Sequence, residues 1–317
     1  MTFHANGTLD VVTLGEAMAM FVAEECGDLA AAEHFTKRIA GAELNVAIGL
    51  ARLGLKVGWV SRLGDDAFGR FACQQLDREG VDRRLVTLDA RFPTGFQLKS
   101  KVNDGSDPRV EYFRKGSAAS HLSCADFNHD YFGSARHLHL SGVAAAISAS
   151  SLALSKYAAK EMKAMGKTIS FDPNLRPVLW SSEREMIKQI NELAAFADWV
   201  LPGINEGKIL TGYDQPEAIA DFYLAMGVKA VVIKTGSEGA WFKTANGDSG
   251  QVEAIKTDKV VDTVGAGDGF AVGVISALLE GKPLSAAIRR GNKIGSLAIQ
   301  VIGDSEGLPT RTALGDF

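Results

Sequence analysis

No stretch of this 317-residue chain stays apolar for the roughly 18 residues that a membrane span needs. No basic segment followed by an apolar run marks the N-terminus as a secretion signal either. A cytoplasmic protein is the expectation. Cysteine is scarce: Cys26, Cys73 and Cys124 are odd in number and far apart, which gives neither a disulfide framework nor a paired-cysteine metal site. Runs of basic residues are missing, and the net charge is −4, so nothing offers a surface to nucleic acid or anionic lipid. Internal repeats, low-complexity segments and Pro/Gly/Ser linkers are absent too. Residues 1–317 therefore read as one domain.

What is present is an α/β rhythm. With 46% hydrophobic and 23% charged residues, the chain can bury a large core. Val11 to Leu14 reads as a strand, Glu43 to Leu53 as a helix stopped by Gly54, and Lys56 to Ser61 as the next strand. The pattern resumes with the strand His137 to Leu140, a helix from Ser150 to Met165 ending at Gly166, and strands at Lys167 to Phe171, Trp199 to Leu201 and Ala230 to Lys234. A parallel sheet with helices on both faces is expected. Two stretches break the rhythm. Residues 16–40 and 92–115 read as strands without intervening helices, the second as Gly95 to Val102 and Arg109 to Arg114 around the turn Asn103 to Ser106. They form a small inserted sheet, placed to act as a lid that excludes water from a cleft.

Asp262-Thr-Val-Gly-Ala-Gly-Asp-Gly-Phe270 sets a carboxylate behind a run of small residues where a strand and turn open into a helix. The amides of Gly265, Ala266 and Gly267 can converge on one anion, aided by the positive potential of a helix start. The same potential favours the ionised form of Asp268, leaving it free to take a proton from a hydroxyl. A tight turn capped by an aspartate would explain the same residues. No Gly-Lys-Ser/Thr closes this segment and the G-x-G-x-x-G spacing fails, so neither a Walker A loop nor a dinucleotide site is indicated.

Four segments together carry a family resemblance. Gly41 to Ala47 (GAELNVA), Arg62 to Gly69 (RLGDDAFG), Lys234 to Gly239 (KTGSEG) and Asp262 to Phe270 resemble successive motifs of the ribokinase-like (PfkB) carbohydrate kinases, in that family's order, across residues 10 to 310. Arg109 to Ala118, Phe171 to Trp180 and Gly303 to Gly307 most resemble the 2-keto-3-deoxygluconate kinases within it. The resemblance implies a three-layer α/β/α sandwich with a mostly parallel central sheet and a small β lid made from parts of 16–40 and 92–115. It also implies ATP and Mg²⁺, with transfer to the terminal (C6) hydroxyl of the sugar acid.

Roles follow position by position as implications of that resemblance. Asp268 becomes the catalytic base, with Gly265, Ala266 and Gly267 as the anion hole. Gly41, Ala42, Glu43, Leu44 and Asn45 face the sugar, with Gln97, Tyr112, Arg114 and Asp304. Asn174, Arg176, Lys234, Thr235, Gly236, Ser237, Glu238, Gly239 and Asn292 lie on the ATP side, with Gly265 and Gly267. Glu206 matches a magnesium-associated Asn-x-x-Glu motif, but Gly203 stands at the asparagine position and Asn205 lies beside it. Lid sheets in the family pair across dimers, which makes a homo-oligomer the expectation.

The residues alone leave rivals for several of these. Asn45 could bond its own backbone at a helix start. Arg114 offers a fork that matches a carboxylate bidentately, yet a surface ion pair would account for it equally. Lys234 to Gly239 could be only a turn between strands, and Asn292 a helix-surface residue. His137 and His139 alternate on a strand and could hold a metal, although the stretch reads as buried. A kinase for a neutral sugar such as fructose or ribose, or a non-catalytic sensor on the same scaffold, remains an alternative.

Overall fold

The computed structural model describes residues 8–102, 108–257 and 260–317. Its strands are β1 (Leu9–Leu14), β2 (Met18–Cys26), β3 (Phe35–Ala40), β4 (Val57–Gly64), β5 (Val86–Asp89), β6 (Phe96–Lys101), β7 (Val110–Phe113), β8 (Ala135–Ser141), β9 (Thr168–Asp172), β10 (Trp199–Val200), β11 (Ala230–Lys234), β12 (Ala240–Thr244) and β13 (Ser249–Val252). Nine of them form one sheet in the order β13-β12-β11-β10-β9-β8-β1-β4-β5. It is parallel from β5 to β11, and β12 and β13 add an antiparallel margin.

Strands buried on both faces need apolar residues in succession, and β1 supplies Val11 and Val12, both fully buried. Val11 packs into a cluster with Leu44, Ile48, Val272 and Ile275, whereas Val12 joins Leu140, Leu154, Phe171 and Ile190. Neighbouring side chains thus enter opposite layers. Val232 and its neighbours Val231 and Ile233 divide in the same way. The helices Ala42–Arg52, Ala67–Glu79, Ala266–Leu279 and Leu284–Ala298 cover one face, and Ala149–Ala164, Glu183–Ala194 and Pro216–Ala225 the other. The three layers are as expected, and the two helices read from the sequence start and stop within one residue of their expected ends.

The remaining strands make a second sheet, β3-β2-β6-β7, in which β2 and β6 are parallel and the outer pairs antiparallel. It leaves the central sheet directly after β1, at the carboxyl ends of the strands. One face presents Met20, Val22, Gln97 and Lys99, register partners across β2 and β6. Met20 and Val22 pack with Ala40 and Ile302. The other face carries an aromatic cluster of Phe21, Phe68, Phe96 and Phe113. The turn Asn103 to Ser106 lies outside the described residues.

His137 and His139 are core residues. His137 bonds the hydroxyls of Thr168 and Ser170 through its two ring nitrogens, and His139 reaches Ser170 through Nδ1. Burial, above all, pushes both imidazoles well below their ordinary range, toward the neutral form.

Candidate active site

The carboxyl ends of β1, β9 and β11, the small sheet and the start of the helix Ala266–Leu279 surround a cavity of ≈ 480 Å³. Such a crevice is where open α/β sheets place ligands. Of the residues singled out in the sequence, Gly41, Ala42, Asn45, Gln97, Tyr112, Arg114, Asn174, Arg176, Glu206, Lys234, Gly265, Gly267, Asp268 and Asp304 all line it.

Gly265 is the N-cap of that helix, with φ +85°. A Cβ there would stand 2.3 Å from the Asp304 carbonyl oxygen, so only glycine lets the turn close this tightly. The first intrahelical bond runs from the Gly269 amide to the Gly265 carbonyl at 2.9 Å. Helix geometry leaves the amides of Ala266, Gly267 and Asp268 without intrahelical acceptors. Asp268 follows on the first turn. Asn45 donates from Nδ2 to its Oδ2 at 2.7 Å, and Asn174 from Nδ2 to its Oδ1 at 3.3 Å. The Asn45 side chain therefore serves Asp268 rather than its own backbone. Asn174 does so from φ +37°, a left-handed conformation that asparagine tolerates better than most residues and that often marks functional sites.

The expectation that Asp268 is ionised because it heads a helix does not hold where burial encloses it. Burial pushes its carboxyl up to about 8; the Asn45 hydrogen bond opposes this, and the nearby Asp172 and Asp304 carboxylates add to it. Desolvation outweighs the helix potential. A carboxyl poised near neutrality exchanges protons efficiently.

The cationic wall is already paired. Lys234 Nζ contacts both carboxylate oxygens of Asp172, at 3.0 and 2.8 Å, and would meet a Cβ on Gly267 at 3.6 Å. Arg176 donates from Nη1 to the Leu175 carbonyl at 2.8 Å. Glu206 accepts from the Leu175 amide through Oε1 and from the Gly203 amide through Oε2, both at 2.7 Å. Gly203 thus contributes its amide where a motif asparagine would have contributed a side chain, and Asn205 is exposed and does not line the cavity. Among the described residues no group of three or more His, Cys, Asp or Glu is arranged to hold a metal ion.

On the sugar side, Gly41 has φ +154°, and a Cβ there would lie 2.3 Å from the Glu16 carbonyl oxygen. Glu16, which the sequence reading passed over, is almost wholly buried. Its Oε2 forms an ion pair with Arg114 Nη2, and its Oε1 accepts a hydrogen bond from Ser117. The pair lacks hydrogen-bond alignment, and Arg114 Nε has no acceptor. Burial raises the Glu16 carboxyl above its usual range against the opposing pull of Arg114. Arg114 is thus no surface ion pair; it is one-tenth exposed, with donor capacity left over.

Several expected residues are not brought to the cavity. Glu43 and Leu44 are fully buried behind it; Glu43 Oε1 accepts the Ala144 amide at 2.9 Å, so only Gly41, Ala42 and Asn45 of that motif line the site. Ala266 does not line it. Thr235, Gly236, Ser237, Glu238 and Gly239 form a tight turn beyond Lys234, pinned by Gln251 Nε2 on the Glu238 carbonyl at 2.9 Å. Asn292 is buried, not a surface residue. Its Nδ2 donates to the Val252 and Glu253 carbonyls at 3.2 and 2.8 Å, fixing the exit of β13 beside a separate cavity of ≈ 580 Å³ bounded by Gln251 to Ile255, Ser285, Ala286 and Arg289. Asp172, Thr263 and Val264 also line the main cavity; a carboxylate at the end of β9 was the one readable signal among them.

An α/β sandwich with a side sheet, holding an aspartate against a glycine-rich helix start, defines a phosphotransferase of the sugar-kinase type. Residues 8–311 match the model of the pfkB family carbohydrate kinases, and the chain belongs to that family. It is 52% identical over 310 residues to a 2-dehydro-3-deoxygluconokinase of Bacillus subtilis (strain 168), covering 98% of this chain and 95% of that one. A PfkB protein from Polaromonas sp. JS666 superposes with a TM-score of 0.90 at 53% identity, covering 98% of this chain and all of that one. A putative Ribokinase II from E. coli, solved in complex with ATP and Mg²⁺, gives a TM-score of 0.89 at 27% identity, with 96% and 97% covered.

Proposed function

We propose that this chain is an ATP-dependent kinase that phosphorylates 2-keto-3-deoxygluconate, also called 2-dehydro-3-deoxygluconate, on its C6 hydroxyl. The observation that carries the reading is Asp268 held by Asn45 and Asn174 beside the Gly265 turn, in one cavity with Lys234, Arg176 and Arg114. Asp268 accepts the C6 hydroxyl proton as the oxygen–phosphorus bond forms and the bond to ADP breaks. The amides of Ala266, Gly267 and Asp268 take up the charge on the transferring group. Magnesium, when bound with ATP, neutralises phosphate oxygens; with both Glu206 oxygens engaged by amides, its ligands would be phosphate and water, as that ion accepts. Arg114, short of acceptors, meets the substrate carboxylate.

The small sheet serves as the lid of a single unit, and its outer strand β7, with Tyr112 and Phe113 half-exposed, is the edge through which two copies would pair. A cytoplasmic setting fits a soluble sugar acid and ATP. The test is coupled ADP release across sugars with and without a carboxylate. Selective turnover of 2-keto-3-deoxygluconate is expected, and preference for fructose or ribose overturns the substrate assignment. Asp268→Asn should lose about 10²- to 10⁴-fold in kcat with ATP binding little changed; near-normal turnover removes Asp268 as the base.

A further inference from the structure

Lys99 is fully buried although it carries a charge. It sits on β6, on the cavity-facing side of the small sheet, two residues beyond Gln97. Its Nζ lies 2.6 Å from Asp262 Oδ2 and 3.1 Å from Asp304 Oδ1. Those two carboxylates belong to the two loops that build the turn around Gly265. Asp262 accepts the Val264 amide through Oδ1 at 3.1 Å and the Gly303 amide through Oδ2 at 3.2 Å. The backbone carbonyl of Asp304 is the group against which Gly265 closes.

A single ammonium thus stands between two carboxylates that would otherwise repel each other beside the place an anionic phosphoryl group must occupy. Burial works against the charged lysine, but Asp304 and Asp262 outweigh it and hold the ammonium above its ordinary range. Packing does not need that charge, since Met20, Val22 and Ala40 already meet Ile302 on the same face.

We propose that Lys99 is a positioning residue for phosphoryl transfer: its ammonium holds Asp262 and Asp304, and through them the turn Val264 to Asp268, in the shape that receives the phosphoryl group. Because the ammonium is carried by the small sheet, the turn is set only while that sheet is seated. The inference rests on the kinase reading and adds a residue to it.

Two variants test it. Lys99→Ala removes the charge and leaves room for a small cation; Lys99→Met removes the charge and fills the space. Both should lose about 10- to 100-fold in kcat, the range seen when groups behind a catalytic site are removed, with the KM for sugar little changed. Ammonium and methylammonium should restore Lys99→Ala but not Lys99→Met, and tetramethylammonium at equal ionic strength should restore neither, each rate being taken relative to wild type in the same salt. Turnover within twofold of wild type, or a loss in Lys99→Ala indifferent to ammonium, overturns the assignment. Should Lys99→Ala fail to fold, the kcat of Lys99→Met decides by the same twofold criterion. If wild type releases no ADP with any sugar, the kinase reading falls and Lys99 with it; an active wild type with active variants refutes Lys99 alone.

Discussion

Replacing Asp268 by asparagine separates the chemistry of that carboxylate from its burden on the fold. In the unfolded chain the group ionises near 3.8, in the folded chain near 8. Between those values the folded state holds a proton that the unfolded state has released, so stability falls as pH rises, by about 1.4 kcal/mol per unit. The penalty is absent below pH 4 and complete above pH 8. From pH 5 to pH 7 it amounts to roughly 2.7 kcal/mol. At about 2.1 cal/mol/K per residue, unfolding of 317 residues carries roughly 0.7 kcal/mol/K of entropy, so this is a Tm change of about 4 °C. Asparagine does not titrate, and it offers one oxygen where Asn45 and Asn174 now find two. The donor left over costs about 1–3 kcal/mol at every pH. The informative quantity is therefore the gap in Tm between variant and wild type as a function of pH, followed by circular dichroism from pH 5 to 9. The gap should move in favour of the variant by about 4 °C between pH 5 and 7 and level off above pH 8. A gap that stays constant across this range would refute the claim that burial raises the Asp268 carboxyl.

Activity should carry the same signature. The kcat/KM of the wild type is expected to rise with pH as Asp268 loses its proton and to level off above about pH 8; Asn45→Ala, which deletes the bond that favours the ionised form, should move that limb to higher pH, and an unmoved limb would detach Asn45 from the base. Gly265→Ala forces a side chain into φ +85° and against the Asp304 carbonyl. Backbone strain of this kind costs about 1–3 kcal/mol, so a lower Tm together with a fall in kcat of at least tenfold is expected; unchanged turnover would show that the turn does not hold the phosphoryl group.

Part of the sheet was legible because parallel strands advertise themselves as apolar runs, as β1 and β11 do; β8 and β9 alternate polar with apolar residues instead, and their polar His137, His139 and Ser170 are buried all the same. β5 and β13 escaped notice because they are four-residue margins with polar, half-exposed residues, where little burial disciplines the sequence. In the site, the glycine-flanked Asp268 was readable from local geometry, since φ > 0 and a close approach demand glycine. Its protonation was not, because a helix start is visible in the sequence and desolvation is not. The same limit hid Glu16 behind Arg114 and the carboxylates behind Lys99. In each case the partner lies far along the chain, and a lone charged residue on a strand reads as solvated until the fold encloses it.

Asn45 and Asp268 stand 223 positions apart. Closing so long a loop costs about 5 kcal/mol in chain entropy, recovered only when the helices Ala42–Arg52 and Ala266–Leu279 pack through Leu44, Ile48, Val272 and Ile275. A ribosome that has emitted β1 through β11 has therefore made most of the central sheet and none of the chemistry. Asp268 and the amide that holds it meet only after Asp268 itself has followed, so a chain ended at β11 retains Gly41, Asn45 and Arg114 and lacks the carboxylate they share the cavity with.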